Sequence, residues 1–263
     1  MTISLFFLLL LLGGFVGVMA GLLGIGGGLI IVPALLYLLP LMGVKAELGM
    51  HMALATSLAS IIVTSGSSAF NHLRFGNVDM FVVKWLIPGV VAGGFLGANI
   101  AEWIPTHYLP KVFSIIALFL GIQMLCSIKV MHVKPMPNSL ITILYGTGIG
   151  VISSLAGIGG GALSVPFLNR RGVEMRKAVG SSSLCGCVIA ISGMIGFILH
   201  GYQAIDLPNY SFGYVYLPAL LALAMASMIT TRIGAKMATN LPTEMLKKIF
   251  AVFLIFVAAA MLL

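Results

Sequence analysis

Charged side chains are scarce in this sequence. Asp, Glu, Lys and Arg make up 8% of its 263 residues, whereas hydrophobic residues make up 60%. Soluble domains carry roughly 25% charged residues, so this chain has too few of them to cover a surface that faces water. Its apolar stretches are continuous rather than alternating, which excludes the strands of a membrane barrel and predicts an all-α, polytopic membrane protein.

Acidic residues are scarcer than basic ones, with 6 Asp and Glu against 14 Lys and Arg. In a soluble protein this excess would suggest a nucleic-acid partner, but no basic run here is interleaved with aromatic residues that could stack on bases. Basic residues also mark the cytoplasmic loops of membrane proteins. We therefore expect a lipid bilayer, and no nucleic acid, around this chain.

The sequence also lacks the usual signatures of metal sites and enzymes. Its three cysteines form no C-x-x-C pair and no Cys/His cluster, so neither a disulfide framework nor a zinc site is indicated. Its carboxylates are spread out, without an H-E-x-x-H or G-x-S-x-G motif. We expect no enzyme activity, metal or cofactor. No Lys or Arg precedes the first apolar run, which we interpret as a retained helix rather than a signal peptide.

Charged and proline-rich breaks divide the chain into eight hydrophobic segments. These lie near 4–39, 48–70, 80–101, 110–128, 139–168, 178–200, 212–238 and 245–263. The first and fifth are too long for one crossing, because about 20 helical residues span a bilayer core of about 30 Å. Both contain the same glycine-rich stretch, so we expect each to be broken or re-entrant there, which gives up to ten helices.

The chain is a tandem repeat. GIGGGLIIVP at 24–33 and GIGGGALSVP at 157–166 are identical at seven of ten positions, and we call them the first and second glycine frames. GANIAEWIPTHYLPKVF at 97–113 likewise aligns with GAKMATNLPTEMLKKIF at 234–250 without gaps. These matches predict two homologous transmembrane repeats at 1–130 and 138–263, joined by a linker at 131–137.

The relative direction of the two repeats depends on what the glycine frames do. If each frame is a bent crossing, ten basic residues lie on one side of the membrane and four on the other. If each frame folds back, Lys45 and Lys111 stand alone against the other twelve. Because Lys and Arg stay on the cytoplasmic side, the second alternative fits better. It predicts inverted repeats, and both alternatives put the two termini on the external side.

Glycine and proline inside a membrane segment interrupt the helix and leave backbone N–H and C=O groups without helical partners. A helix that starts after the glycines directs its N–H groups and positive dipole end at the break, where an anion would satisfy them. Paired broken helices are typical of transport sites. Close helix packing is the alternative explanation for these glycines. The candidate binding residues in the frames are Gly24, Gly26, Gly27, Gly28, Gly157, Gly159, Gly160 and Gly161.

Small hydroxyl clusters follow each glycine frame. Hydroxyl groups can donate to anion oxygens without a permanent charge, but they also hydrogen-bond within and between helices. The candidate binding residues among them are Thr56, Ser57, Ser181, Ser182 and Ser183. His72 closes the second segment and is a candidate for substrate or proton binding, although a histidine near an interface is usually just solvated.

A family resemblance rests on these same stretches. AGLLGIGGGLIIVP is followed by ALATSLASI, and the second half repeats this as AGIGGGALSVP with AVGSSSLCG, alongside the paired GANIA and GAKMA segments. On these residues the chain resembles the TauE/SafE sulfite exporter family, also called the 4-toluene sulfonate uptake permease family, over nearly its whole length. The resemblance implies an inner-membrane carrier of sulfur-containing anions such as sulfite, thiosulfate or organosulfonates. SSSLCG departs from ATSLAS, so the two half-sites need not be equivalent.

We therefore predict a secondary transporter, and more specifically an exporter, that binds its anion between the two broken elements and works by alternating access. A membrane scaffold subunit and an anion channel are the alternatives that the sequence leaves open. It also leaves open whether protons are coupled to transport and whether the protein is a monomer or a homodimer.

Overall fold

The computed structural model describes residues 3–23, 26–126, 135–204, 206–238 and 243–262. These residues form ten α-helices and one short β-hairpin, which confirms the prediction of an all-α membrane protein. The helices are α1 (Ile3–Leu23), α2 (Gly28–Leu41), α3 (Ala46–Arg74), α4 (Met80–Trp103), α5 (Leu109–Leu125), α6 (Ser139–Leu155), α7 (Gly161–Arg170), α8 (Met175–Gly201), α9 (Leu217–Ala238) and α10 (Thr243–Leu262), and the hairpin strands are β1 (Ser211–Phe212) and β2 (Val215–Tyr216).

Both glycine frames interrupt their segments, as the sequence predicts. The first segment divides into α1 and α2, and the fifth divides into α6 and α7. The helices that follow the frames have only 14 and 10 residues, or about 21 and 15 Å at ~1.5 Å per residue. Neither reaches across a hydrocarbon core of about 30 Å. Five other helices in the described part of the chain, α1, α3, α4, α8 and α9, are long and apolar enough to cross a membrane.

The hairpin was not predicted. The sequence analysis placed residues 212–238 in one segment, whereas α9 begins only at Leu217. The hairpin pairs Ser211 with Tyr216 and Phe212 with Val215. Gly213, in its turn, has a φ of 55°, which glycine adopts without strain. Little in the sequence indicates this hairpin, because one glycine inside an aromatic run also occurs at the start of an ordinary helix.

Side-chain caps start two of the helices. The Asp79 carboxylate accepts hydrogen bonds from the backbone N–H groups of Phe81 and Val82 at the start of α4. The Asn138 side chain accepts one from Ile141 at the start of α6. Such caps satisfy N–H groups that have no partner inside the helix, so they fix where each helix begins.

The first helix of each half packs against the fourth helix of the other half. On the α1–α9 interface, Gly13 contacts Leu223 and Gly17 contacts Ser227, so the two helices run parallel. On the α4–α6 interface, Gly89 contacts Ile143 and Gly97 contacts Val151, which makes this pair parallel too. A Cβ at any of these four glycines would collide with the facing backbone or side chain, so glycine is what permits both approaches.

The long helices α3 and α8 run in opposite directions beside each other. Near the start of α8, the Ser183 and Ser68 hydroxyls lie 3.1 Å apart, while further along α8, Gly193 contacts Leu58, which lies earlier on α3. α3 is the more buried of the two, with an unbroken buried run from Gly49 to Ile61. It is the most deeply buried of the five candidate membrane-spanning helices, and α2, α8 and α9 pack against it.

These directions define two ends of the molecule. At the hairpin side, α3 begins and the hairpin lies against it, where the Tyr216 N–H donates to the Thr56 hydroxyl. At the basic side, α3 ends at Arg74, α8 begins beside Arg176, and α9 carries Arg232 near its end. α9 runs parallel to α3, since Tyr216 precedes it at one end and Arg232 shares a cavity with the last turns of α3 at the other.

The first glycine frame folds back. Because α1 is parallel to α9, it runs from the hairpin side towards the basic side, as α3 does. α3 starts at Ala46, five residues after α2 ends at Leu41, so α2 has to return the chain to the hairpin side. The same reasoning applies to α6, α7 and α8, in the opposite direction.

We predict that Gly93→Ala on α4 destabilises the protein, because the new methyl group would collide with the backbone carbonyl of Thr147 on α6. Overpacking of this kind typically costs about 1–3 kcal/mol, whereas Gly→Ala in a helix interior is normally favourable by up to about 1 kcal/mol. Thermal unfolding in detergent measures the difference. Gly148→Ala is the matched control, since nothing lies within 4 Å of its Cβ position. Equal melting shifts in both variants would contradict the packing described here.

Candidate functional site

Each glycine frame ends with a left-handed glycine that starts the next helix. Gly27 has a φ of 74° and caps α2, and Gly160 has a φ of 71° and caps α7. A side chain at either position would be strained. It would also collide with a neighbouring side chain, which is Val16 for Gly27 and Ile189 for Gly160. The frames therefore use glycine for its conformation as well as its size. Gly24, the first candidate residue, lies outside the described residues.

The two frames contact each other at the centre of the molecule. A Cβ on Gly28 would collide with the carbonyl oxygen of Gly157, and one on Gly26 would lie 3.7 Å from the backbone nitrogen of Gly159. The Ser57 hydroxyl donates a 2.8 Å hydrogen bond to the Gly157 carbonyl. Backbone from one half thus lies directly on backbone from the other. The two broken elements therefore come together, whereas the binding of an anion between them stays a prediction.

A cavity of about 230 Å³ reaches this contact from the basic side. Gly26 lines it next to the frame contact, and Arg232 on α9 lines it near the basic side. Between them the lining combines apolar side chains, including Val63, Val179 and Met228, with hydroxyl-bearing residues and with the amide and imidazole of the last turn of α3. These polar residues are Thr64, Ser65, Ser67, Ser68, Asn71, His72, Ser183 and Thr231.

The chemistry of this lining favours an anion. Among the described residues that line the cavity, Arg232 is the permanent charge, and neither Asp nor Glu occurs. Hydroxyl and amide groups can donate to oxygen atoms of an oxyanion without adding further charge. The first turn of α2 lies beside Gly26 and contributes the partial positive charge of a helix N-terminus. The cavity can thus neutralise a small negative ion and bind it by several weak donors.

The candidate hydroxyls divide between structure and cavity. Ser183 lines the cavity and also donates to the Val179 carbonyl. Thr56 accepts from the hairpin at Tyr216, and Ser181 accepts from the Asp79 N–H at 2.9 Å. These last two hydrogen bonds join neighbouring elements and use the hydroxyl oxygens of Thr56 and Ser181 as acceptors.

The remaining candidates lie in the packed region behind the cavity. The Ser182 hydroxyl is 3.0 Å from that of Ser164, which donates to the carbonyl of Gly160. Gly159 and Gly161 are buried with Gly157 and Gly160. Of all the predicted binding residues, Gly26, His72 and Ser183 line the cavity. A direct role in binding for the others stays a prediction.

Sequence reasoning missed several lining residues. Ser65 and Ser68 lie one turn apart on α3, and His72 follows one turn later. This spacing of three and four residues places polar groups on one face of a helix, and that stripe was a readable signal in TSGSSAFNH. Arg232 carried no such signal, because one arginine near the end of an apolar segment also marks an ordinary cytoplasmic end.

Within the described ranges, no group of three or more His, Cys, Asp or Glu residues is arranged to hold a metal ion. The cavity itself offers one imidazole and no carboxylate among the residues that line it. Its donors suit an anionic ligand rather than a cation.

Comparison with known proteins agrees with a transport role. The chain matches the profile of the family described as "Sulfite exporter TauE/SafE" over residues 9–261. It is 42% identical over 257 residues to a probable membrane transporter protein of Haemophilus influenzae, covering 97% of each chain. It is 30% identical to probable membrane transporter protein YdhB of Bacillus subtilis, over 97% of this chain and 99% of that one. A probable membrane transporter protein of Methanocaldococcus jannaschii is 28% identical, over 87% of this chain and 85% of its own.

We predict that Ser57→Ala lowers the thermal stability of the protein. The substitution removes the donor to the buried Gly157 carbonyl, and a buried polar group without its partner costs about 1–3 kcal/mol. Ser60→Ala is the matched control, one turn away on the same helix. Its hydroxyl is equally buried but has no hydrogen-bond partner, so its removal should be neutral or stabilising. If both variants melted alike in detergent, the Ser57 hydrogen bond would not hold the frames together.

Proposed function

The chain belongs to the sulfite exporter TauE/SafE family, and on that premise we propose that it is a secondary transporter of small sulfur-containing anions across the inner membrane. Sulfite, thiosulfate and organosulfonates are the proposed substrates. The observation that carries the proposal is the cavity, which combines Arg232 with hydroxyl donors, holds no carboxylate among its described lining residues and ends at the contact between the glycine frames.

The proposed mechanism is alternating access between two inverted repeats. Equivalent helices of the two halves run in opposite directions, as α3 and α8 do, which supports an inverted relation. The cavity leads to the basic side. At the opposite end, the hairpin is held against α3 by the hydrogen bond from the Tyr216 N–H to the Thr56 hydroxyl. Rocking one half against the other about the frame contact would close the cavity and open an equivalent path on the hairpin side.

The basic side is proposed to face the cytoplasm, because Lys and Arg concentrate in cytoplasmic loops. Arg74, Arg176 and Arg232 all lie there, and Lys45 lies at the opposite end. Both termini then face outwards, and the conformation described here loads substrate from inside. Export follows from the membrane potential, since an interior-negative potential drives an anion out by about 2.3 kcal/mol per charge per 100 mV.

The weakness of the binding groups suits a carrier. A buried Lys or Arg at the centre would hold an anion strongly and slow its release. Here the arginine is exposed and near the basic side of the cavity, where it attracts anions and raises their local concentration. The neutral hydroxyls further in would hold the anion only transiently.

We predict that Arg232→Gln raises KM for sulfite about tenfold, equivalent to about 1.4 kcal/mol of lost binding, and changes kcat much less. The reason is that the arginine acts on binding rather than on the conformational step. The measurement is counterflow of labelled sulfite and thiosulfate in proteoliposomes. Arg176→Gln is the matched control, because Arg176 is exposed on the same side but does not line the cavity.

The same assay separates the alternatives. Saturable flux with counterflow supports a carrier, whereas unsaturable flux at channel rates would support an anion channel. A folded protein that moves none of the three substrate classes would favour the scaffold role. Equal KM values for the Arg232 and Arg176 variants would remove Arg232 from the substrate path.

A further inference from the structure

A cluster of titratable side chains joins three elements at the hairpin side. His51 on α3 is 3% exposed, and its ring stacks on Tyr214 of the hairpin with 5.1 Å between centroids. The Tyr214 hydroxyl donates a 3.2 Å hydrogen bond to Oε1 of Glu102, at the end of α4. The second carboxylate oxygen, Oε2, lies 3.8 Å from Nε2 of His51. The hairpin is therefore attached to the helices partly through an acid and a base.

Two atoms of this cluster are buried without a hydrogen-bond partner. They are Nδ1 of His51 and Oε2 of Glu102, while Nε2 of His51 lies 3.2 Å from the Ala101 carbonyl. The Glu102 side chain is 31% exposed as a whole, but burying even one ionised carboxylate oxygen without a partner is costly. One bound proton, shared between imidazole and carboxylate, would bring the net charge of the cluster from −1 to 0 and remove much of that cost.

The surrounding charges do not supply an alternative counter-ion in the described structure. His200 on α8 is the next titratable group, and its Nε2 lies 3.0 Å from the Asn99 side-chain oxygen. Lys45 pairs with Asp206 at 2.6 Å, and that hydrogen bond raises the pKa of Lys45. Burial, together with the adjacent carboxylate, raises the pKa of the Tyr214 phenol, so Tyr214 keeps its proton and acts as a donor. Tyr216, also in the hairpin, is buried, and a phenol cannot serve as a positive counter-ion.

We propose that His51, Glu102 and Tyr214 form a proton-binding site that holds the hairpin closed when occupied. This inference rests on the proposed alternating access, in which the hairpin side must open to release the substrate. The closed hairpin excludes water and so binds the proton more tightly than an open one, in which water hydrates the carboxylate. By linkage, the closed state is stabilised at low pH, and raising the pH removes the proton and favours opening.

The test measures how far a buried thiol on the hairpin becomes exposed to solvent. Val215→Cys places the thiol at a position that is 2% exposed, in a background carrying Cys126→Ser, Cys185→Ala and Cys187→Ala. Phe212→Cys in the same background provides a half-exposed reference on the same hairpin, which corrects for the pH dependence of thiol reactivity itself. Maleimide labelling rates of both proteins are measured in nanodiscs from pH 5 to pH 9, without substrate.

We expect the corrected rate at position 215 to rise with pH, by up to about tenfold per pH unit while one proton is released. Glu102→Gln mimics the protonated acid, so labelling should stay low at every pH. Glu47→Gln, which changes an exposed glutamate at the start of α3, should behave like the parent. His51→Gln removes one of the two groups that share the proton, so it should shift the midpoint of the rise, whereas His107→Gln should not.

A corrected rate that is flat with pH, or a rise that persists in Glu102→Gln, would overturn the proposal. An unchanged midpoint in His51→Gln would overturn the sharing of the proton. If the thiol at position 215 prevents folding, hydrogen exchange of residues 206–216 in the unsubstituted chain, corrected for intrinsic rates, gives the same comparison with Glu102→Gln. Because no substrate is used, a pH-gated hairpin in a protein that fails to transport sulfur anions would refute the proposed substrate while leaving this inference intact.

Discussion

The structure depends on a backbone contact between its two halves. Gly28 lies against the carbonyl of Gly157, and Ser57 donates to that same oxygen. Inside a membrane, backbone groups released from a helix must be satisfied by protein, water or ligand. Here each frame is covered largely by the other frame and by α3 and α8, so the interruption of two helices can persist at the centre of the molecule. The cavity exists because α1 and α2 diverge at this point instead of continuing as one helix.

Much of the fold was readable from the sequence because its signals were local and strong. Long apolar runs predicted the helices, and the consecutive glycines predicted both interruptions, since no packed straight helix needs them in that order. The hairpin at 211–216 was missed because a two-residue strand leaves almost no periodicity to detect. Its role depends on Thr56, His51 and Glu102, which lie far away in the chain and contact it only after folding.

The candidate site was less predictable than the fold for a related reason. Thr56, Ser57 and Ser182 are small hydroxyls near the frames, as a binding site requires, yet in this conformation their hydrogen bonds link elements within the protein. Sequence shows that a hydroxyl is near a break, but not whether it faces the space or the packing. Arg232 is the opposite case. It is far from both glycine frames in the sequence, yet it lines the cavity from α9.

The exchange of first helices between halves has a consequence for how the protein is made. α1 packs on α9 through Gly13 and Gly17. α9 leaves the ribosome after most of the chain. Until then α1 lacks this partner, and its glycine face is exposed to lipid. Neither half can complete its own packing alone.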